Sequence, residues 1–115
     1  MNDRRAYDRR HSIIYLQVFD RDSGSALGNL VDISEKGVML VSKAPMENDQ
    51  QYALRMHLPE PVNGNYTVDF EAVVRWCRQD INPDLYDIGF ELINPPKSFE
   101  DALESLVKGY MFTGN

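Results

Sequence analysis

Four arginines stand within the first ten residues, at Arg4, Arg5, Arg9 and Arg10. A guanidinium presents its N–H donors as a rigid planar fork. The fork fits phosphate oxygens and the O6/N7 edge of guanine, and its plane can stack on a base. A lysine ammonium does this badly, and no lysine precedes Lys36. A second cluster reads Asp32-Ile33-Ser34-Glu35-Lys36-Gly37. If Val31 and Ile33 turn to a core, Asp32 and Ser34 turn together to the outside of a strand. A carboxylate there can accept two parallel N–H bonds, which suits the N1–H and N2–H₂ edge of guanine. Gly37 would permit a positive-φ turn into the next strand. Each cluster also has a plainer reading. The arginines can be a solvated terminus, and Asp and Ser beside a turn often bond only local backbone.

Charge narrows the partner. Residues 1–11 hold four Arg against Asp3 and Asp8, a net +2, while the remainder holds eight Lys/Arg against sixteen Asp/Glu, a net −8. A local positive arm on a negative body fits one anion held at one place. It opposes a broad nucleic-acid or membrane surface, which needs many basic contacts. Nothing recommends catalysis. Two His and the single Cys77 make no metal cluster. No nucleophile–base–orienter set and no phosphate-cradling glycine loop can be read. His11 beside the arm reads as solvated, and His57 falls on a polar strand face. No enzyme activity and no cofactor are expected.

The elements that must position these residues are mostly strands. Residues 66–76 alternate strictly, with Tyr66, Val68, Phe70, Ala72, Val74 and Trp76 on one face. That places Trp76 in the core by default. Residues 52–58 and 86–92 repeat the pattern, and 12–19, 27–33 and 38–42 are strand-like. Asp22-Ser23-Gly24, Glu35-Lys36-Gly37, Pro59 and Pro61 with Asn63-Gly64, and Asn82-Pro83-Asp84 supply the turns. Six strands on short turns predict an antiparallel sheet with one wet face, most economically a closed or nearly closed barrel. The period then changes. Ser98 stands as an N-cap with Asp101 three residues on, and Phe99, Ala102, Leu103, Leu106, Val107, Tyr110 and Met111 form an amphipathic stripe. This predicts a helix over about 98–112 laid on the barrel. The division expected is a flexible arm at 1–11 and a barrel-plus-helix domain at 12–115. No apolar run approaches the roughly 18–20 residues of a membrane helix, and no signal peptide is evident. The expected location is cytoplasmic.

Arg-Arg-x-x-x-Arg (Arg4, Arg5, Arg9) before the first strand, then Asp-x-Ser-x-x-Gly (Asp32, Ser34, Gly37) at the end of the second, resembles the PilZ domain family. Ala72-Val73-Val74-Arg75-Trp76 and Ile88-Gly89-Phe90-Glu91-Leu92 are similar to the family's late strands, and the likeness spans roughly residues 4–112. The resemblance implies an all-β fold, a six-stranded antiparallel barrel with one C-terminal helix. It implies a bacterial receptor for the second messenger cyclic di-GMP, whose arm wraps the ligand against the barrel. Arg5 and Arg9 would take guanine edges and phosphates, with Arg4 assisting. Asp32 and Ser34 would take a guanine edge, Gly37 would keep the turn tight, and Trp76 at a rim would lie near a guanine. Asp8 departs from the family's proline or neutral residue and would lower the arm's potential. Arg10 has no assigned role, and Arg75 and Arg78 suit either a second patch or solvated charge. An unidentified effector protein would read the surface so built, on a monomer or homodimer. The alternative is a protein-interaction module of the same fold, related to pilus or motility systems, that binds no nucleotide.

Overall fold

The computed structural model describes residues 10–109 and 111–113, with side chains described from 16 to 109. Alternating apolar residues build six long strands: β1 (Arg10–Asp20), β2 (Ala26–Ile33), β3 (Gly37–Ser42), β4 (Gln51–Val62), β5 (Asn65–Gln79) and β6 (Tyr86–Ile93). Neighbours are antiparallel in the order β2-β3-β6-β5-β4-β1, and β1 pairs again with β2. The ring is therefore closed, which removes the unpaired edges an open sheet would leave. The expected six-stranded antiparallel barrel with one C-terminal helix is the fold observed.

Every predicted strand lies inside an observed one, and most run longer. Arg10 and His11, grouped with the arm by sequence, already pair with Ile33 and Asp32 of β2. Pro59 and Pro61 sit within β4 rather than in a turn. The β4–β5 ladder lapses between His57 and Val62, so their missing N–H groups cost no ladder bond. Asn63 (φ 53°) and Gly64 (φ 83°) make the tight hairpin that follows, both in the left-handed region that such turns require.

The helix α1 (Lys97–Gly109) starts and stops differently from expectation. Phe99 and Glu100 donate their N–H groups to the Pro96 carbonyl, at 2.9 and 3.3 Å, so Ser98 lies inside the first turn. Asp101 does not complete a capping box. Its carboxylate instead accepts Lys97 Nζ at 2.9 Å and Asn63 Nδ2 at 2.9 Å, tying the helix to the β4–β5 hairpin. The stripe past Gly109 is not helix: β7 (Met111–Thr113) pairs with Arg10–Ser12 of β1. Gly109 is a weak helix former, and the extended chain beyond it satisfies the β1 edge that β4 does not reach.

Inward residues from all six strands make one core. Val18, Leu30, Leu40, Leu54, Met56, Val74 and Ile88 are fully buried. Phe99, Ala102 and Leu106 bury the apolar face of α1, with Phe99 edge-on to Phe70 at 5.0 Å between ring centroids.

Candidate ligand site on the barrel wall

Two bulges shape the outer wall. On β2 the register passes from Leu30 opposite Leu40 to Asp32 opposite Met39, so Val31 is the extra residue. Leu30, not Val31, takes the core position beside Ile33, and Asp32 pairs opposite Met39 on the outer wall, where it is nonetheless buried. Asp32 is 6% exposed. On β5 the register passes from Val74 opposite Phe90 to Trp76 opposite Gly89, leaving Arg75 extra. In a regular strand Arg75 and Trp76 would face opposite ways. The bulge turns both outward.

Trp76 is therefore not a core residue, contrary to the alternation. Its neighbour Gly89 stands between the inward Ile88 and Phe90 and forms the floor beneath it. A Cβ at position 89 would fall on the indole's Nε1, Cε2 and Cζ2. Arg78 lies on the Trp76 ring, with its guanidinium carbon 4.7 Å from the centroid. Such a contact is typically worth about 0.5–1 kcal/mol at an exposed site.

Ser34 builds the turn after β2. Its Oγ accepts N–H bonds from Lys36 at 3.2 Å and Gly37 at 3.3 Å, and Ser34 N donates to the Gly37 carbonyl at 2.8 Å. Both hydroxyl lone pairs are committed locally, so a ligand could take only the hydroxyl proton, which is weakly held by Gly37 O at 3.5 Å. Gly37 has no positive φ, so the expected turn role is not the reason for it. A Cβ there would stand 2.5 Å from the Phe90 carbonyl oxygen, so glycine permits the close approach of β3 to β6.

These residues converge. Asp32, Ser34, Gly37 and Trp76 line one concavity of about 210 Å³, together with Arg75 and Glu91. Arg75 crosses its rim and is held by two carboxylates, Glu91 Oε1 at 2.7 Å from Nε and Asp49 Oδ1 at 3.1 Å from Nη1. The Glu91 hydrogen bond is the main cause that raises the Arg75 pKa above its ordinary value. Lys36, Met39 and Gly89 also line the site and were not singled out as site residues by sequence. Of these only Gly89 carried a signal, since a glycine inside a strand marks a close approach.

Arg4, Arg5 and Arg9 lie outside the described residues. The described chain begins at Arg10, and the backbone of His11 stands opposite Asp32. The arm's root thus adjoins the concavity. His57 stacks on Phe19 at 4.6 Å, away from it. Among the described residues no group of His, Cys, Asp or Glu could hold a metal ion, and no helix is long and apolar enough to cross a membrane.

The fold is thus a small closed barrel with a polar-and-aromatic hollow on its wall. The chain matches the family model of the PilZ domain over residues 3–109 and belongs to that family. Among solved structures it is similar to the Bacillus subtilis inhibitor of motility, MotI/DgrA, at 20% identity and a TM-score of 0.71. The match covers 93% of this chain and 51% of the other, so the chain spans about half the length of that relative. No curated protein matches the sequence.

Proposed function

We propose that this chain is a receptor and adaptor for cyclic di-GMP in which the ligand orders the N-terminal arginines onto the barrel wall. The observation that carries the reading is the juxtaposition of Asp32, Trp76 and the root of the arm at one concavity. Its size supports a shared site. At about 210 Å³ it falls below the roughly 300 Å³ at which pockets begin to enclose a drug-sized ligand. One base fits such a space, and the rest of a dinucleotide needs a second wall. Arg5 and Arg9, with Arg4 assisting, would supply that wall and the positive charge for two phosphates. The surface so formed would be read by a partner protein in the cytoplasm, by analogy with a family of binding modules rather than enzymes. Titration calorimetry with cyclic di-GMP, GTP and cyclic GMP tests this. Micromolar or tighter binding of cyclic di-GMP alone is expected, and no heat at micromolar protein would end the reading.

One observation favours a second reading. Ser34 already spends its acceptors on its own turn, as it would in an interaction module of this fold that binds no nucleotide. The likeness to a motility inhibitor is compatible with either. The same titration separates them.

A further inference from the structure

The bulge on β5 presents a cation whose work the ligand motif leaves unassigned. Arg75 is the extra residue of the ladder, turned outward beside Trp76 into the concavity. Its partners are held with care. Asp49 adopts a left-handed backbone (φ 70°), uncommon for a residue with a side chain, and its N–H donates to the Val74 carbonyl at 2.7 Å. Val74 N in turn donates to Gln50 O at 2.9 Å, so the loop before β4 is buttoned onto the bulge. Asp49 and Glu91 thereby grip a guanidinium at the rim of a site that also contains Asp32. All three ion-pair partners remain accessible, with side chains 50% exposed for Arg75, 81% for Asp49 and 56% for Glu91. Exposed pairs of this kind are worth about 0–1 kcal/mol each, so a better acceptor can displace them.

What acceptor would fit follows from the neighbours. Trp76 offers an aromatic surface to a base that displaces Arg78 from its ring, and Asp32 an acceptor to N–H donors. A guanine whose N1–H and N2–H₂ face a carboxylate still carries O6 and N7, the pair an arginine fork reads. A phosphate is less suited to this hollow, because Asp32 and Glu91 would repel it.

We propose that Arg75 is a specificity-determining residue of this site, released from Glu91 and Asp49 to bind O6 and N7 of a guanine seated against Trp76. The inference rests on the nucleotide-receptor reading and names the residue that selects the base. Glu91 and Asp49 occupy the fork and compete with the ligand for it.

The test uses the full chain and four proteins: wild type, Arg75→Gln, Glu91→Gln and the double variant, titrated with cyclic di-GMP and cyclic di-AMP. Arg75→Gln should weaken cyclic di-GMP binding roughly tenfold or more and narrow its preference over cyclic di-AMP by a similar factor, the scale of one bidentate arginine–guanine pair. Glu91→Gln should strengthen cyclic di-GMP binding roughly threefold, a gain that disappears in the Arg75→Gln background. Unchanged affinity in Arg75→Gln overturns the proposal. So does a loss with preference intact, which would assign Arg75 to phosphate. If Arg75→Gln does not fold, the Glu91→Gln arm decides, and absence of gain is the overturning result. Wild type that binds neither nucleotide defeats the receptor reading itself, whereas wild type that binds with Arg75→Gln unaffected defeats this inference alone.

Discussion

Ser34 and Gly89 do structural jobs that limit what the site can offer a ligand. On the proposed reading Asp32 would supply a carboxylate to N–H donors, and Arg5 and Arg9 would supply forks for guanine and phosphate. Ala at Asp32, or Gln at either arginine, should each weaken cyclic di-GMP binding by roughly tenfold or more, since hydrogen bonds to charged groups carry about 1.5–3 kcal/mol. Calorimetry that finds all three at wild-type affinity would sink the residue assignment. Ser34 is different, because its oxygen holds the Lys36 and Gly37 amides. Ser34→Ala should cost about 1–2 kcal/mol of stability in urea melts, with any binding loss arising through the turn. Gly89 separates fold from site most cleanly. Gly89→Ala pushes on the indole of Trp76, not on the barrel core. Trp76 is the chain's only tryptophan, so its emission reports the displacement directly. The variant should show altered tryptophan fluorescence and weakened nucleotide binding. An unaltered spectrum with full affinity would contradict the placement of the ring.

At the scale of elements, the sequence disclosed the strands but not their faults. Three alternating runs, three further strand-like runs and most of their turn residues were legible because side-chain period and turn chemistry are local properties. The bulges at Val31 and Arg75 were not, because a bulge is fixed by the partner strand's register. That one effect misplaced Trp76 in the core, while Asp32 survived because Leu30 could replace Val31 inside. The helix end was missed for a related reason. Tyr110 and Met111 fit a helical stripe, yet pairing of Met111–Thr113 with β1 prevails. This pairing braces Arg10–Ser12, the root of the arm, from the side opposite β2. Removing residues 110–115 should therefore reduce cyclic di-GMP affinity while leaving the barrel folded, as judged by circular dichroism and calorimetry. Full affinity in the shortened chain would show that β7 does not support the arm. Truncating the helix anchor acts on stability instead: Phe99→Ala removes a ring 1% exposed and packed on Phe70, and should cost about 3–5 kcal/mol.

For the whole molecule, the acidic body makes stability depend on pH in two opposed ways on one barrel. Asp69 accepts a two-pronged bond from Arg55, at 2.7 and 3.0 Å, and this bond is the chief cause that lowers its pKa from 3.8. A lowered carboxylate stabilises the fold above its unfolded pKa and loses that contribution as pH falls through the folded one. Asp87 has the opposite sign. Burial, then the charge and hydrogen bond of Asp80, raise its pKa above 3.8 despite Arg78 nearby. Its contribution is fully present below the ordinary carboxylate value and is lost as pH rises through the raised one. At neutral pH the ionised Asp87 is therefore a cost, and near pH 3 it is not. Asp87→Asn should raise Tm at pH 7 more than at pH 3. Asp69→Asn should lower Tm at pH 7 and matter less at pH 3. Thermal melts of both variants at the two pH values check the pair of signs. A lower Tm for Asp87→Asn at neutral pH would overturn this sign, because Arg78 would then outweigh burial and Asp80. That outcome would also make Asp87 the anchor that holds Arg78 on the Trp76 ring.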